Sequence, residues 1–334
     1  MSKAVKCLFA ALGMAMMILD NTTAFQGAQE GIQICIRTLI PSLFPFLILS
    51  TLLVGNVSGS KSRILDPLCK ACRISKTSAS LIVLGMLGGY PAGAICVREA
   101  YESGIISRDT ARRILPVCDQ CGPAFLFGIL SAMFNSPWVA WSIWAIMILS
   151  ALITLWVLPG YDDGSDKIIS SPSMTVSKAL DRTIRTMGAI CGWVILFRVL
   201  ITFLQRWLLW WMDEDIRIVI IGILELSNGC IEASMIGSEQ VRFLVCVAMI
   251  VLGGACVTMQ VFSVTPPSID RSLYIIGKIT QCLISLTLAW ITGWVLFDRW
   301  TIPLFVPVIC FLGLIISCRY ILRKKSSISR MIRV

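Results

Sequence analysis

Gly88-Gly89-Tyr90-Pro91-Ala92-Gly93-Ala94 interrupts an apolar stretch that runs from about Thr77 to Val97. A helix of about 10 residues is roughly 15 Å long, half of the roughly 30 Å hydrocarbon core, so each arm beside the interruption reaches about the bilayer midplane. Pro91 lacks an N–H and disfavours helix at Tyr90, while three glycines let the chain turn sharply and bare its polar backbone. Bare backbone at that depth is tolerated only beside protein or a water-filled cavity. The stretch therefore reads as the tip of a re-entrant hairpin facing a cavity. A single kinked transmembrane helix is the other reading.

Composition agrees with a membrane setting. Hydrophobic residues make up 57% of the 334 and charged residues 14%, and the mean hydropathy is +0.83, which excludes an ordinary soluble domain. The net charge of +10 is sorted by loop, as the positive-inside rule requires, so it does not point to nucleic acid. The chain has no histidine, which removes His-based catalysis and His-ligated metal. Its 14 cysteines stand mostly in apolar segments, where a thiol packs as a small hydrophobe. Two C-x-x-C pairs occur, Cys69/Cys72 in a basic loop and Cys118/Cys121 in an apolar span; a zinc site would need them to converge, and no metal or other cofactor is expected.

In chain order, Lys3 and Lys6 precede an apolar run from Cys7 to Leu19 that reads as a retained first span. Ala24 to Arg37 reads as an interfacial helix, and Leu39 to Val57 as a second span bent at Pro41 and Pro45. Basic clusters flank the hairpin: Lys61, Arg63, Lys70, Arg73 and Lys76 before it, Arg98, Arg108, Arg112 and Arg113 after it. A hairpin keeps both clusters on the inner side. Leu115 to Phe134 follows, broken at Cys118-Asp119-Gln120-Cys121-Gly122-Pro123, and Trp138 to Leu158 is unbroken.

The second half repeats this plan. Val176 to Met187 is amphipathic and leads into a span from Gly188 to Leu204. Ile216 to Ala233 is broken at Glu225-Leu226-Ser227-Asn228-Gly229, Arg242 to Thr265 at Gly253-Gly254, and Leu273 to Phe297 is unbroken. Three crossings and one hairpin per half is an odd number of crossings, so the halves are expected to be inverted repeats. A last span, Ile302 to Cys318, carries a basic tail inward. The expected fold is an all-α polytopic membrane protein with about eight transmembrane helices, two re-entrant hairpins and both termini cytosolic. It divides into an N-terminal helix (1–20), a first repeat (21–160, hairpin 77–97), a linker (161–173), a second repeat (174–298, hairpin 216–233) and a last helix with its tail (299–334). All ten lysines then fall on the inner side, Lys278 near the inner end of its span.

Inverted repeats with broken helices build transporter sites at the midplane, where half-helix N-termini attract anions and acidic groups hold a proton or sodium. The four breaks supply the candidate substrate-binding residues Gly88, Gly89, Tyr90, Pro91, Gly93, Gln120, Gly122, Ser227, Asn228, Gly229, Thr258 and Gln260. Asp119 and Glu225 are the candidates for ion or proton coupling, since a charge inside a span is retained for a partner or a function. Arg198 is a counter-ion to either acid, an anion contact, or a side chain snorkelling to an interface. The glycines serve equally well for close helix packing, and Asn228, Thr258 and Gln260 as interhelical hydrogen bonds. No nucleophile and base stand in a recognisable arrangement, so an enzyme is not expected.

The I-P-S-L-F-P-F-L-I-L-S run at Ile40 to Ser50, G-G-Y-P-x-G-A at Gly88 to Ala94, G-P-A-F-x-F-G at Gly122 to Gly128, E-L-S-N-G at Glu225 to Gly229 and G-G-x-x-V-x-x-Q-V-x-S-V at Gly253 to Val264 resemble, in order and spacing, the YlbJ family of sporulation integral membrane proteins. The hairpin signature is also similar to nucleoside-recognition, or gate, domain proteins, including spore maturation proteins. The resemblance implies distant kinship with concentrative nucleoside transporters and a place in the outer forespore membrane. The function it implies is transfer of dipicolinate, a small anionic metabolite, from mother cell to forespore. A nucleoside or other small-metabolite transporter is the first alternative and a non-transporting assembly factor the second. A homo-oligomer would shield a moving domain from lipid.

Overall fold

The computed structural model describes residues 3–57, 65–159 and 175–297, with parts of 303–316. The linker 161–173 and the basic tail lie outside them, as does about half of the expected last span. All regular structure among the described residues is helical.

The chain opens with α1 (Lys3–Leu19), which turns at Asp20 into α2 (Asn21–Ile34). Asp20 caps α2 by accepting from the Thr23 N–H at 3.3 Å. A π-helical turn, Cys35–Leu39, joins α2 to α3 (Ile40–Val57). The wide turn precedes Pro41 and Pro45, which remove two ladder donors, and the segment that ends with it, Asn21–Leu39, differs in direction from Leu43–Leu49 by 57°.

Next come α4 (Asp66–Cys72), α5 (Lys76–Gly88), α6 (Ala92–Glu102) and α7 (Arg108–Cys118). Short helical pieces follow, α8 (Pro123–Phe125) and α9 (Ser131–Phe134) around a second π turn at Leu126–Leu130, and then α10 (Pro137–Val157). Arg113 of α7, buried, donates to the carbonyls of Cys72, Arg73 and Leu155 at 3.0–3.2 Å. It thereby closes the C-terminal ends of α4 and α10, whose last carbonyls have no helical partner.

The second half begins with α11 (Val176–Trp207), a single helix of 32 residues. The amphipathic segment and the span that the sequence separates at Gly188 are one unbroken helix. α12 (Glu214–Leu224), α13 (Leu226–Ala233), α14 (Glu239–Leu252), α15 (Gly254–Val264) and α16 (Arg271–Leu296) complete the described fold. Ser75, Ser107, Thr175, Ser238 and Asp270 cap the starts of α5, α7, α11, α14 and α16 through their side-chain oxygens.

By length and composition, four helices can cross a bilayer: Pro137–Val157, Val176–Trp207, Glu239–Val264 and Arg271–Leu296, with the bent pair Asn21–Leu39 and Leu43–Leu49 a fifth. Large apolar side chains such as Ile18, Leu19, Trp156, Ile223 and Val295 stand exposed on the outside of the bundle. Water would not favour such a surface; lipid does. The chain is a helical membrane protein. α2 lies flat on α11, because Gly27 and Gly31, one turn apart, bring the backbones together. A Cβ at either would stand 2.8 Å from a backbone atom of Val199 or Ile195.

Candidate functional site

At the first break two helices are joined by a tight turn. α5 ends at Gly88, the chain turns through Gly89 (φ 76°), Tyr90 and Pro91, and α6 folds back so that Gly85 and Gly93 meet. The second half repeats the device: α12 ends at Leu224, Glu225 is extended, and α13 returns so that Gly222 and Gly229 meet. Here the interruption is one residue. Ser227, Asn228 and Gly229 belong to the helix that follows.

The four breaks are stacked in pairs. Gly89 of the first lies against Gly122 of the second, where an added Cβ would stand 2.9 Å from the Gly122 nitrogen. Gly254 of the fourth lies against the carbonyls of Gly222 and Ile223, at the end of α12. The pairs are joined by Tyr90, whose hydroxyl donates to the carbonyl of Ile250 at 2.7 Å and reaches that of Val251 at 3.3 Å. Its ring lies over Gly253, which turns with φ 73°.

Between the breaks is a cavity of about 310 Å³. Gly88, Gly89 and Tyr90 line it from the first break, Gly122 from the second, Glu225 and Ser227 from the third, and Gln260 from the helix after the fourth. Apolar residues of α3 and α11, among them Leu43 and Ile190, complete the wall. Among the described residues, the one charged side chain in the lining is Glu225. Its carboxylate accepts from the N–H groups of Ser227 and Asn228 at 3.0 and 2.8 Å, and from the Asn228 amide at 2.6 Å. The α13 N-terminus, which sequence reasoning reserves for an anion, is thus occupied by the chain's own carboxylate.

Asn228 then passes the contact outward. Its Oδ1 accepts from Arg198 at 2.7 Å, and Arg198 pairs with Glu30 of α2 through Nε, also at 2.7 Å, and through Nη2. Arg198 is thus ion-paired with Glu30, a partner outside the expected roles, and is linked to Glu225 through Asn228. Glu30 goes unnoticed in the sequence because α2 reads there as an interfacial helix.

Asp119 and Gln120 turn away from the cavity, and both are fully buried. Asp119 Oδ2 accepts from the Tyr274 hydroxyl at 2.8 Å, while Oδ1 has no hydrogen-bond partner. The Gln120 and Gln281 amides bond each other reciprocally, at 2.8 and 3.1 Å. Lys278, expected near the inner end of its span, is 3% exposed. Its ammonium donates to the main-chain oxygen of Asp119 and to the Tyr90 hydroxyl at 3.4 Å, and stands 4.9 Å from the Tyr90 ring centroid. On its other side Lys278 borders an apolar cleft of about 500 Å³ that opens on the outer surface and also holds Thr258 and Tyr274. Pro91, Gly93 and Gly229 are packing residues, outside the cavity lining.

A search against known proteins finds 29% identity over 122 residues, 36% of this chain and 30% of the other, with the sporulation integral membrane protein YlbJ of Bacillus subtilis (strain 168). Over that stretch this chain is similar to YlbJ. The matched part covers about a third of YlbJ's length. No protein-family profile matches the chain, and no solved structure does. The resemblance to YlbJ therefore rests on sequence, and the arrangement of the breaks on the fold described above.

Two features escape a reading of the sequence. Gly85 and Gly222, which close the hairpins, have partners eight and seven residues away, outside the motifs that attract attention. Tyr274, Lys278 and Gln281 recur at helical spacing on one face of α16, a signal that was present but masked by the positive-inside argument for Lys278.

Proposed function

We propose that this chain is a sporulation-associated membrane transporter that moves a small metabolite through the cavity between its four breaks. The observation that carries the reading is the convergence of interrupted helices from both halves of the chain on one partly open cavity that is lined by a buried carboxylate. Interrupted helices leave polar backbone at membrane depth, which is useful where a solute must exchange its water for protein contacts. In this reading the halves are inverted repeats, each hairpin enters and leaves on one side, and the complete chain crosses the bilayer about eight times. The YlbJ relationship supports a role in sporulation.

Dipicolinate is the substrate that the YlbJ resemblance implies, but Glu225 sets a condition. With one carboxylate and no cation in the lining among the described residues, a dianion enters only if protons or a cation accompany it. A nucleoside would bond directly to Glu225, Ser227 and Gln260, and that lining favours it as the second reading. The test uses the purified full chain in proteoliposomes with radiolabelled dipicolinate and uridine. One of them accumulates above empty vesicles, and Glu225→Gln lowers its rate at least about tenfold, because replacing a hydrogen-bonded buried charge removes roughly 1.5–3 kcal/mol of interaction. Entry of neither solute above the empty-vesicle rate rejects both substrates; an undiminished rate in Glu225→Gln rejects the site.

A further inference from the structure

Lys278 occupies a position that ordinarily suits a metal cation. Main-chain oxygen, a tyrosine hydroxyl and two aromatic rings surround its ammonium, and a buried carboxylate stands beyond. The Asp119 carbonyl and the Tyr90 hydroxyl accept or face it, Tyr90 and Tyr274 present their rings at 4.9 and 6.0 Å, and the Asp119 side chain is held by Tyr274 with one oxygen left unbonded. These groups come from the first break, the second break and α16, and Tyr90 carries the contact to the end of α14 through the Ile250 and Val251 carbonyls. Oxygen donors gathered at unwound helix ends beside an acid are the usual surroundings of a coupling sodium ion.

We propose that the Lys278 ammonium is a tethered cation that fills this position in place of sodium. The proposal rests on the transporter reading and deepens it: cation coupling in this chain runs through proton gain and loss at the Lys278–Asp119 pair, and sodium has no site there. The pair also stands between the two spaces, since Tyr90 lines the cavity and Lys278 and Tyr274 line the outer cleft. Loss of the ammonium charge releases the tie between the first break and α16. The titratable groups that face Lys278 are Asp119, Cys118 and Cys121 from the second break, Tyr90 from the first, and Tyr274 on its own helix. α14 presents carbonyls to Tyr90 and no charge there.

The experiment is thermal unfolding of the purified full chain in detergent, titrated with sodium chloride, ammonium chloride and, for ionic strength, choline chloride. Wild type responds alike to all three. Lys278→Ala unfolds at a lower temperature, and ammonium or sodium raises its midpoint saturably, by roughly 3 °C or more at a hundred times half-saturation. A saturable sodium effect on wild type, or a Lys278→Ala midpoint that no small cation raises above choline, overturns the proposal.

If Lys278→Ala cannot be purified folded, the pair Lys278→Met and Lys278→Met/Asp119→Asn decides. Removing both charges restores at least half of the midpoint lost by Lys278→Met, whereas additive losses overturn the pairing. Proteoliposomes then separate the two readings. Failure to move dipicolinate or uridine counts against transport and leaves the cation result standing, while transport that requires sodium rejects the tethered cation alone.

Discussion

Gly93→Ala probes the joint between the first two breaks. An alanine Cβ there would overlap the carbonyl of Cys118 and stand 2.9 Å from the Asp119 nitrogen. Both neighbours are backbone, so no rotamer change relieves the overlap, and α6 and α7 must separate. Overpacking of a close-packed interior costs about 1–3 kcal/mol, and a clash confined to backbone falls at the upper end. At roughly 2–4 °C per kcal/mol for larger chains, the midpoint of thermal unfolding falls by about 6–12 °C. Gly188→Ala supplies the control. It lies within α11 with open space where its Cβ would go, so the better helix former stabilises by about 0.5–1 kcal/mol. Tryptophan fluorescence of the purified chain in detergent follows both. A Gly93→Ala midpoint at or above wild type would refute the stacking of α6 on α7, and with it the placement of Asp119.

Two further outcomes follow from the geometry. Gln281→Met leaves the fully buried Gln120 Oε1 without its donor, while Nε2 keeps the Pro116 carbonyl at 2.9 Å, and destabilises by about 1–3 kcal/mol, with part of the loss recovered on adding Gln120→Met; a double-mutant cycle without coupling would show that the amides do not bond. The Trp207 indole N–H, helped by Thr23 and Thr22, holds the Asp20 carboxyl at about 2, below its ordinary 3.8. A lowered carboxylate pKa stabilises above the unfolded value, so the midpoint difference between wild type and Asp20→Asn is constant above pH 3.8 and closes as pH falls toward 2. A difference independent of pH over that range would mean that the carboxylate charge is not what ties α2 to the end of α11.

The breaks were legible because glycine and proline act through the backbone, and backbone effects are local. Gly88 to Gly93, Gly122-Pro123 and Gly253-Gly254 mark interruptions that the fold contains. The third break was legible in place but not in extent: Glu225 turns back to cap α13, and the capped helix takes in Ser227 and Asn228, residues that read as loop formers. The site's wiring was less accessible. Arg198 finds Glu30, and Asp119 finds Tyr274, across 168 and 155 residues, distances at which spacing carries no information. The partners of Lys278 were not legible for a clearer reason. The positive-inside rule concerns charges that stay in water, and it has no purchase on a lysine satisfied by a carbonyl and aromatic rings.

The Arg113 bonds have a consequence in time. A chain made from its N-terminus can satisfy Arg113 as soon as α10 has emerged, since Cys72, Arg73 and Leu155 all lie in the first half. Asp119 and Gln120, six and seven residues further along, must wait for Tyr274 and Gln281 on α16. Until that helix arrives, a carboxylate and an amide at the centre of the molecule lack their partners, a state that an apolar interior disfavours strongly. The first half thus makes the Arg113 bonds early and completes its centre last, and one face of α16 certifies that the helices before it have been made before the interior closes.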